Sequence, residues 1–318
     1  MPLVSLTTLL AVARRGGSAV CYCESWNLES FAAEVEAAEE LSSPIVVGFN
    51  GGFLMHASRS KPERLAYYAA LGLALRESAV PTAFILNETD SLAQIEQGIE
   101  LGFNAIMVES EQLSLDEYRQ LVKRVVQMAH TRNVSVEAQI GRLPVGWLAT
   151  DLNAQITDAG LARRFVEDTG IDALSVSIGN VHVLTKGKAS INLEALRRIS
   201  AEVKVPLVLH GGTGVPPEMA RELIALGVAK VNIGTGLKQP YLAAVREKLA
   251  AYREPMPPHP FLGMGGPDDI LVAGREAVKR KAKELLRLYG SAGKAREMKN
   301  TRPLQAKIEY NSMARRSE

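Results

Sequence analysis

At 318 residues the chain is longer than most single α/β domains, yet it suits a barrel with extra helices. Its 47% hydrophobic content can fill a large core, and no run of about 18 uncharged apolar residues occurs, so a membrane-spanning helix is not expected. A net charge of +2 points to no nucleic-acid partner, and the two cysteines, Cys21 and Cys23, suit a reducing, cytoplasmic setting.

The opening MPLVSLTTLLAVARRGG lacks the basic start and small-residue cleavage site of a signal peptide and reads as a short amphipathic helix. Strand-like runs follow at residues 19–23, 45–49, 83–86, 105–108, 134–140, 173–178, 206–210 and 230–233. On the first, Cys21 and Cys23 alternate and face opposite sides, so no bridge between them is expected. Each strand but the last is followed by a helical pattern. Ser114 and Glu117 form a capping box ahead of the apolar stripe Tyr118, Leu121, Val122 and Val125. Gly102, Gly170 and Gly227 stand where helices should end. Eight such units predict a closed (β/α)8 TIM barrel over residues 1–251. An open doubly wound sheet shows similar alternation, but it does not need polar residues at nearly every strand end. Two more helices, at 240–251 and 269–289, flank the Pro-rich stretch 254–260. They predict additional C-terminal helices, with residues 252–290 packed on the barrel and 291–318 a basic tail or arm. From Arg275 onward, thirteen Lys/Arg stand against five Asp/Glu. A solvated helix with a frayed end explains this, as does contact with an acidic subunit or RNA.

Barrel sites are built from the C-terminal ends of strands. There the sequence offers Glu24, Asn50, Asn87-Glu88, Glu137-Ala138-Gln139, Asn180-Val181-His182, His210-Gly211-Gly212-Thr213-Gly214 and Asn232-Ile233-Gly234-Thr235-Gly236. The two glycine loops after strands 7 and 8 let backbone N–H groups and Thr hydroxyls turn toward an anion at a helix start, although tight turns alone would also use glycine. His182 and His210 end adjacent strands and can share a metal with Glu88, or either can be a hydrogen-bonded core histidine or a general base.

With these residues in order, the chain resembles the class II, metal-dependent ketose-bisphosphate aldolases over roughly residues 1–250. The resemblance is clearest in Val205-Pro-Leu-Val-Leu-His-Gly-Gly-Thr-Gly214 and Lys230-Val-Asn-Ile-Gly-Thr235. It implies a divalent metal, zinc first, on His182 and His210. It also implies a phosphate and ketone grip from Gly211, Gly212, Thr213, Asn232, Gly234 and Thr235, with Lys186 as the lysine after the first histidine and Asn50 near the substrate.

The departures fall at the reaction centre. The family's Asp-His pair on strand 3 is Asn87-Glu88, so Glu88 becomes the third ligand, and Asn87 occupies the proton donor's position but cannot give and take a proton as a carboxyl can. The family's strand 8 acid is Gly234, and the loop after strand 5 holds Asp151 as its one carboxylate. Glu24 and Asp151 are therefore candidates for proton transfer, and Trp147 for a lid or a packing anchor. The resemblance implies a lyase acting on a phosphorylated ketose or related carbonyl compound, assembled as a homodimer or tetramer. An isomerase or epimerase on the same barrel, or an inactive homologue serving as a binding subunit, are the other readings.

Overall fold

The computed structural model describes residues 3–110, 112–146 and 155–299. Asp151, Trp147 and the tail beyond residue 299 lie outside them. Eight parallel strands close into a barrel in sequence order: β1 (Val20–Ser25), β2 (Ile45–Asn50), β3 (Thr82–Thr89), β4 (Ala105–Val108), β5 (Ser135–Ile140), β6 (Ala173–Val176), β7 (Leu207–Leu209) and β8 (Val228–Ile233). The predicted strands all appear, shifted by a few residues at their ends. The described helices are α1 (Leu6–Arg15), α2 (Leu28–Glu40), α3 (Gly51–Leu54), α4 (Leu65–Ala74), α5 (Leu92–Glu100), α6 (Leu115–His130), α7 (Ala159–Thr169), α8 (Leu193–Glu202), α9 (Ala220–Ala225), α10 (Thr235–Leu249), α11 (Ile270–Leu288) and α12 (Ala295–Lys299).

Strand alternation sorts the side chains into two cores. Val20, Tyr22, Val46, Ile85 and Met107 fill the barrel interior, where Leu6, Leu9 and Leu10 of α1 pack on them. Thus α1 plugs the N-terminal end of the barrel and leaves the C-terminal end as the open one. Cys21, Cys23, Val47 and Phe49 face outward against helical residues such as Phe31 and Ala37. Both cysteines are buried and free, but they face the same outward side, because residues two apart on a strand share a face, which corrects the expectation that they point to opposite sides. The capping box at Ser114 and Glu117 forms as its spacing predicts, and Gly170 ends α7 in the left-handed region at φ 73°.

The last long helices cover the barrel beside β1. α11 packs on α10 and α2, and the approach to α10 is close: a Cβ on Gly274 would lie 2.4 Å from the Tyr241 ring. Val278, Ala282 and Leu286 are buried in this seam. Its rim is ionic. Arg275 and Lys279 pair with Glu36 of α2, and Lys283 pairs with Glu40 at 2.5 Å. Part of the C-terminal basic excess is therefore neutralised by an acidic helix of the same chain. Exposed pairs of this kind add little stability, so the apolar stripe carries the docking. The sequence expectation of a helix starting at Pro240 is corrected here. α10 begins at Thr235 and keeps Pro240 in its second turn.

α2 also carries a buried acid. Glu34 is fully buried, and one carboxylate oxygen accepts from Ser25 Oγ at 2.5 Å while the other has no partner. Burial, only partly opposed by the Ser25 bond, pushes its carboxyl up from about 4.5 to about 8. The folded state therefore holds this proton across a window in which the unfolded chain releases it, so stability falls as pH rises from about 4.5 to about 8. Glu34→Gln should flatten that fall and leave the protein more stable than wild type above pH 8. Thermal melts across the window check this, and parallel curves for the two proteins would refute it.

Candidate active site

The open end of the barrel holds a cavity of about 720 Å³ walled by residues of β1, β2, β3, β6, β7 and β8 and their loops, including Glu24, Asn50, Glu88, His182, Thr213 and Asn232. Three donor atoms converge at its edge, two of them on the wall residues Glu88 and His182 and the third on His210 buried behind them. His210 Nδ1 lies 3.4 Å from both His182 Nε2 and Glu88 Oε1, and His182 Nε2 lies 3.8 Å from the same Glu88 oxygen. Corners of a tetrahedron around a small divalent ion, with ligand bonds of about 2.0–2.1 Å, stand about 3.3–3.4 Å apart. The set fits such an ion.

Each ligand is placed by a separate local device. On β3 the strand register shifts between Leu86 and Thr89, and Glu88 adopts the left-handed region at φ 52°. A non-glycine residue rarely rests there, and the bulge turns Glu88 toward the cavity although Asn87, its neighbour, also points inward. Two amides then fix the carboxylate: Asn87 Nδ2 donates to Oε1 at 2.8 Å, and Asn50 Nδ2 donates to Oε2. Asn50 is itself pinned, because its Oδ1 accepts from Phe53 N at 2.9 Å and caps α3. Burial works against ionisation of Glu88, but hydrogen bonding to His210 and the charges of both histidines hold its pKa well below the usual carboxylate range.

His182 follows β6 in a loop tied to residues 144–146 by two backbone hydrogen bonds, His182 N to Pro144 O at 2.9 Å and Gly146 N to His182 O at 2.7 Å. The buried Asn180 side chain donates to His210 O at 3.0 Å and accepts from Ile178 N at 2.8 Å. It locks the end of β6 to the end of β7.

His210 is fully buried, and its far nitrogen is spoken for. Nε2 lies 3.2 Å from Glu137 Oε1, and Glu137 Oε2 accepts from Lys230 Nζ at 2.8 Å, with all three side chains inaccessible to solvent. Against the opposing effect of burial, Lys230 and His210 keep Glu137 below the usual carboxylate range. An ionised Glu137 accepts a hydrogen bond from Nε2–H and turns Nδ1 toward Glu88 and His182, where it would offer a lone pair to a metal once its own proton is released. Burial disfavours a charged His210, yet its bonds to Glu137 and Glu88 raise its pKa to about 9.

Next to the donor set stand the glycine loops, the first of which follows His210 directly. Gly211, at φ 66°, admits no side chain: a Cβ would lie 2.2 Å from the Val181 carbonyl oxygen. Gly212 and Gly214 bound a tight 3₁₀ turn, and Gly212 packs so closely that a Cβ would lie 2.5 Å from Val231 Cγ1. Thr213 Oγ1 accepts from Gly236 N at 2.9 Å and joins this turn to the start of α10. That helix has Gly234 as its N-cap and no side-chain cap. Its dipole and first-turn N–H groups are therefore directed at the cavity.

The sequence candidates distribute unevenly. Glu24, Asn50, Glu88, His182, Gly211, Thr213, Asn232, Gly234 and Thr235 line the cavity, with Asn87, His210 and Gly212 buried behind them. Lys186 sits exposed on the loop after His182 and is not part of the wall. The lysine of the cavity is Lys238, one turn into α10. It pairs with Glu24 and lies 4.8 Å from the Phe53 ring centroid and 5.8 Å from that of Trp26. Starting α10 at Pro240 hid it. A Cβ at Gly234 would lie 3.3 Å from the Glu24 carboxylate, so Glu24 occupies the ground beside that glycine. Burial raises the pKa of Glu24 while Lys238 opposes the rise. Beside Glu24 the cavity continues into a side chamber of about 440 Å³ walled by Trp26, Phe49, Phe53 and Lys238.

Fold and site together define a (β/α)8 barrel whose open end carries a two-histidine, one-carboxylate set that could hold a metal, beside two glycine loops. Similarity to known proteins makes this particular. The family model described as fructose-bisphosphate aldolase class-II matches residues 4–294. A probable fructose-bisphosphate aldolase of Bacillus subtilis (strain 168) is 34% identical over 301 residues, covering 93% of this chain and 100% of that one. A fructose-bisphosphate aldolase of Staphylococcus epidermidis is 31% identical over 304 residues, with 93% and 100% covered. Among solved structures, the YdjI aldolase from Escherichia coli K12 superposes with a TM-score of 0.76 at 29% identity, covering 92% of this chain and 99% of that one. The chain belongs to the class II fructose-bisphosphate aldolase family, whose members are divalent-metal-dependent aldehyde-lyases. Among the described residues, no helix is long and apolar enough to cross a membrane.

Glu137→Gln keeps the shape of the buried relay but removes the charge that fixes His210. We expect divalent-metal affinity to fall about 10–100-fold, read by competition with a chelator. Unchanged affinity would show that the relay does not tune the donor set.

Proposed function

We propose that the chain cleaves a carbon–carbon bond in a phosphorylated ketose, or a related small phosphorylated carbonyl compound, with zinc as its metal. One observation carries the reading: three donor atoms 3.4–3.8 Å apart stand at the edge of a cavity that the two glycine loops also line. The names of the relatives support a phosphorylated ketose as the substrate class.

Glu88, His182 and His210 would hold the metal, which supplies Lewis-acid polarisation of a substrate oxygen when bound. Gly211, Gly212, Thr213 and residues 232–235, with the uncapped start of α10, grip the phosphate and the ketone end and thereby anchor the substrate in the cavity. Asn87 cannot exchange a proton as a carboxyl can. Its amide instead orients Glu88, as does that of Asn50. Proton transfer passes to Glu24, whose carboxyl is raised by burial and steadied by Lys238. Asp151 is the second candidate for that task.

The zinc-loaded protein, incubated with ketose 1-phosphates and ketose bisphosphates, should release a triose phosphate, and chelation should abolish the release. Glu24→Gln should lower kcat by about 10²–10⁴-fold while metal content stays at the wild-type level. Cleavage that survives complete removal of metal would end the reading. A fully active Glu24→Gln protein would move proton transfer elsewhere.

A further inference from the structure

The side chamber beside Glu24 is the part of the open end that neither the donor set nor the glycine loops use. It lies at the ends of β1 and β2. Glu24, Asn50, Phe53 and Lys238 wall both the chamber and the main cavity, so the two spaces are continuous. A substrate held by its phosphate at the ends of β7 and β8, and by its carbonyl at the donor set, has its remote half left to enter this space.

Two features decide what the chamber accepts. The first is its apolar surface. Trp26, Phe49 and Leu54 line it, and Phe53 stands where it joins the cavity with 45% of its surface exposed. A lone exposed ring is ordinary on a protein surface, but this one adjoins two more rings around one concave space, which is how ligand pockets are lined. The second feature is charge. Lys238 is bonded to Glu24 and lies against the Phe53 and Trp26 rings. Arg59 Nη1 pairs with Glu63 at 2.6 Å, and Arg59 Nε donates to Phe53 O at 2.6 Å. His56 Nδ1 lies 2.7 Å from Ser58 Oγ. Among the described wall residues, both the ammonium and the guanidinium therefore already have a carboxylate. A second phosphate entering here would meet Glu24 and would have to displace one of these carboxylates from its cation.

We propose that the chamber receives the remote half of the substrate as an uncharged, apolar group, so that the chain acts on 1-phosphorylated ketoses with an apolar tail in preference to ketose bisphosphates. Phe53 and Trp26 hold the carbon chain of that tail, and Phe53 is a specificity-determining residue. The inference rests on the function proposed above and narrows its substrate class. It departs from the bisphosphate that the names of the relatives carry.

The test runs the zinc-loaded full chain in the bond-forming direction. The hydroxymethyl carbon of dihydroxyacetone phosphate loses a proton and bonds to the aldehyde carbon of an acceptor, whose oxygen takes up a proton. Three acceptors are compared: glyceraldehyde 3-phosphate, glyceraldehyde and 3-phenylpropanal. The expected order of kcat/KM places 3-phenylpropanal first and glyceraldehyde 3-phosphate last, with about tenfold or more between them. Phe53→Ala removes an exposed ring and should reduce that ratio to about twofold or less; because a ratio is read, a general loss of activity does not mimic the effect. A wild type that favours glyceraldehyde 3-phosphate over either uncharged acceptor, or a Phe53→Ala protein with the wild-type ratio, would overturn the assignment and leave the proposed function standing. Wild-type protein that condenses none of the acceptors and does not exchange the hydroxymethyl hydrogen of dihydroxyacetone phosphate with solvent deuterium would overturn the proposed function itself, and this inference with it.

Discussion

The buried chain Lys230–Glu137–His210 is the interaction on which the site depends. Three ionisable side chains from β8, β5 and β7 meet inside the barrel with no access to water. Removing any one would leave its neighbours as uncompensated buried charge or unbonded polar atoms, an arrangement that typically costs about 3–5 kcal/mol. Their mutual bonding fixes which nitrogen of His210 carries the proton, and so which nitrogen faces Glu88 and His182. Lys230 also supports the Tyr22 ring. One relay thus sets the geometry on the metal side and on the floor of the same cavity.

The barrel is the means of delivering these groups. Inward-pointing residues alternate with outward ones on every strand, and α1 fills the closed end with Leu6, Leu9 and Leu10. The apolar plug closes one end, so the side chains that line the cavity collect at the other. Where alternation alone would not suffice, the chain departs from ideal geometry: the β3 bulge and the left-handed backbone at Glu88 place two successive residues on the same centre. Such strain persists only when surrounding bonds over-determine it, and here the amides of Asn50 and Asn87 do so. A similar economy operates across β1 and β8. The resemblance implies an acid at position 234, and the chain has glycine there. Glu24 of the adjacent strand lies against that glycine, so the carboxylate has been carried to the neighbouring strand and given Lys238 as a partner.

Much of this was legible in the sequence. Eight β-rich runs with intervening helical periods specify the barrel, because burial on both faces gives parallel strands their continuous apolar character. The glycine loops and both histidines are legible as well, since their positions at strand ends follow from the strands themselves. What the sequence concealed has physical causes. Pro240 looks like a helix start, yet a proline in the second turn is accommodated in α10, so Lys238 lies in that helix's first turn and faces the site, while Lys186 sits exposed on the loop after His182. The positive φ of Glu88 depends on a bulge that no local residue pattern announces. Glu137 reads as one polar residue among several at a strand end until Lys230 is seen opposite it.

The account stands on Glu88, His182 and His210 forming one metal centre. Elemental analysis of the purified full chain, wild type beside His210→Ala, tests this most directly. The account predicts about one divalent metal per chain in the wild type and its loss in the variant. No metal in either protein after reloading with zinc, or equal metal in both, would contradict it.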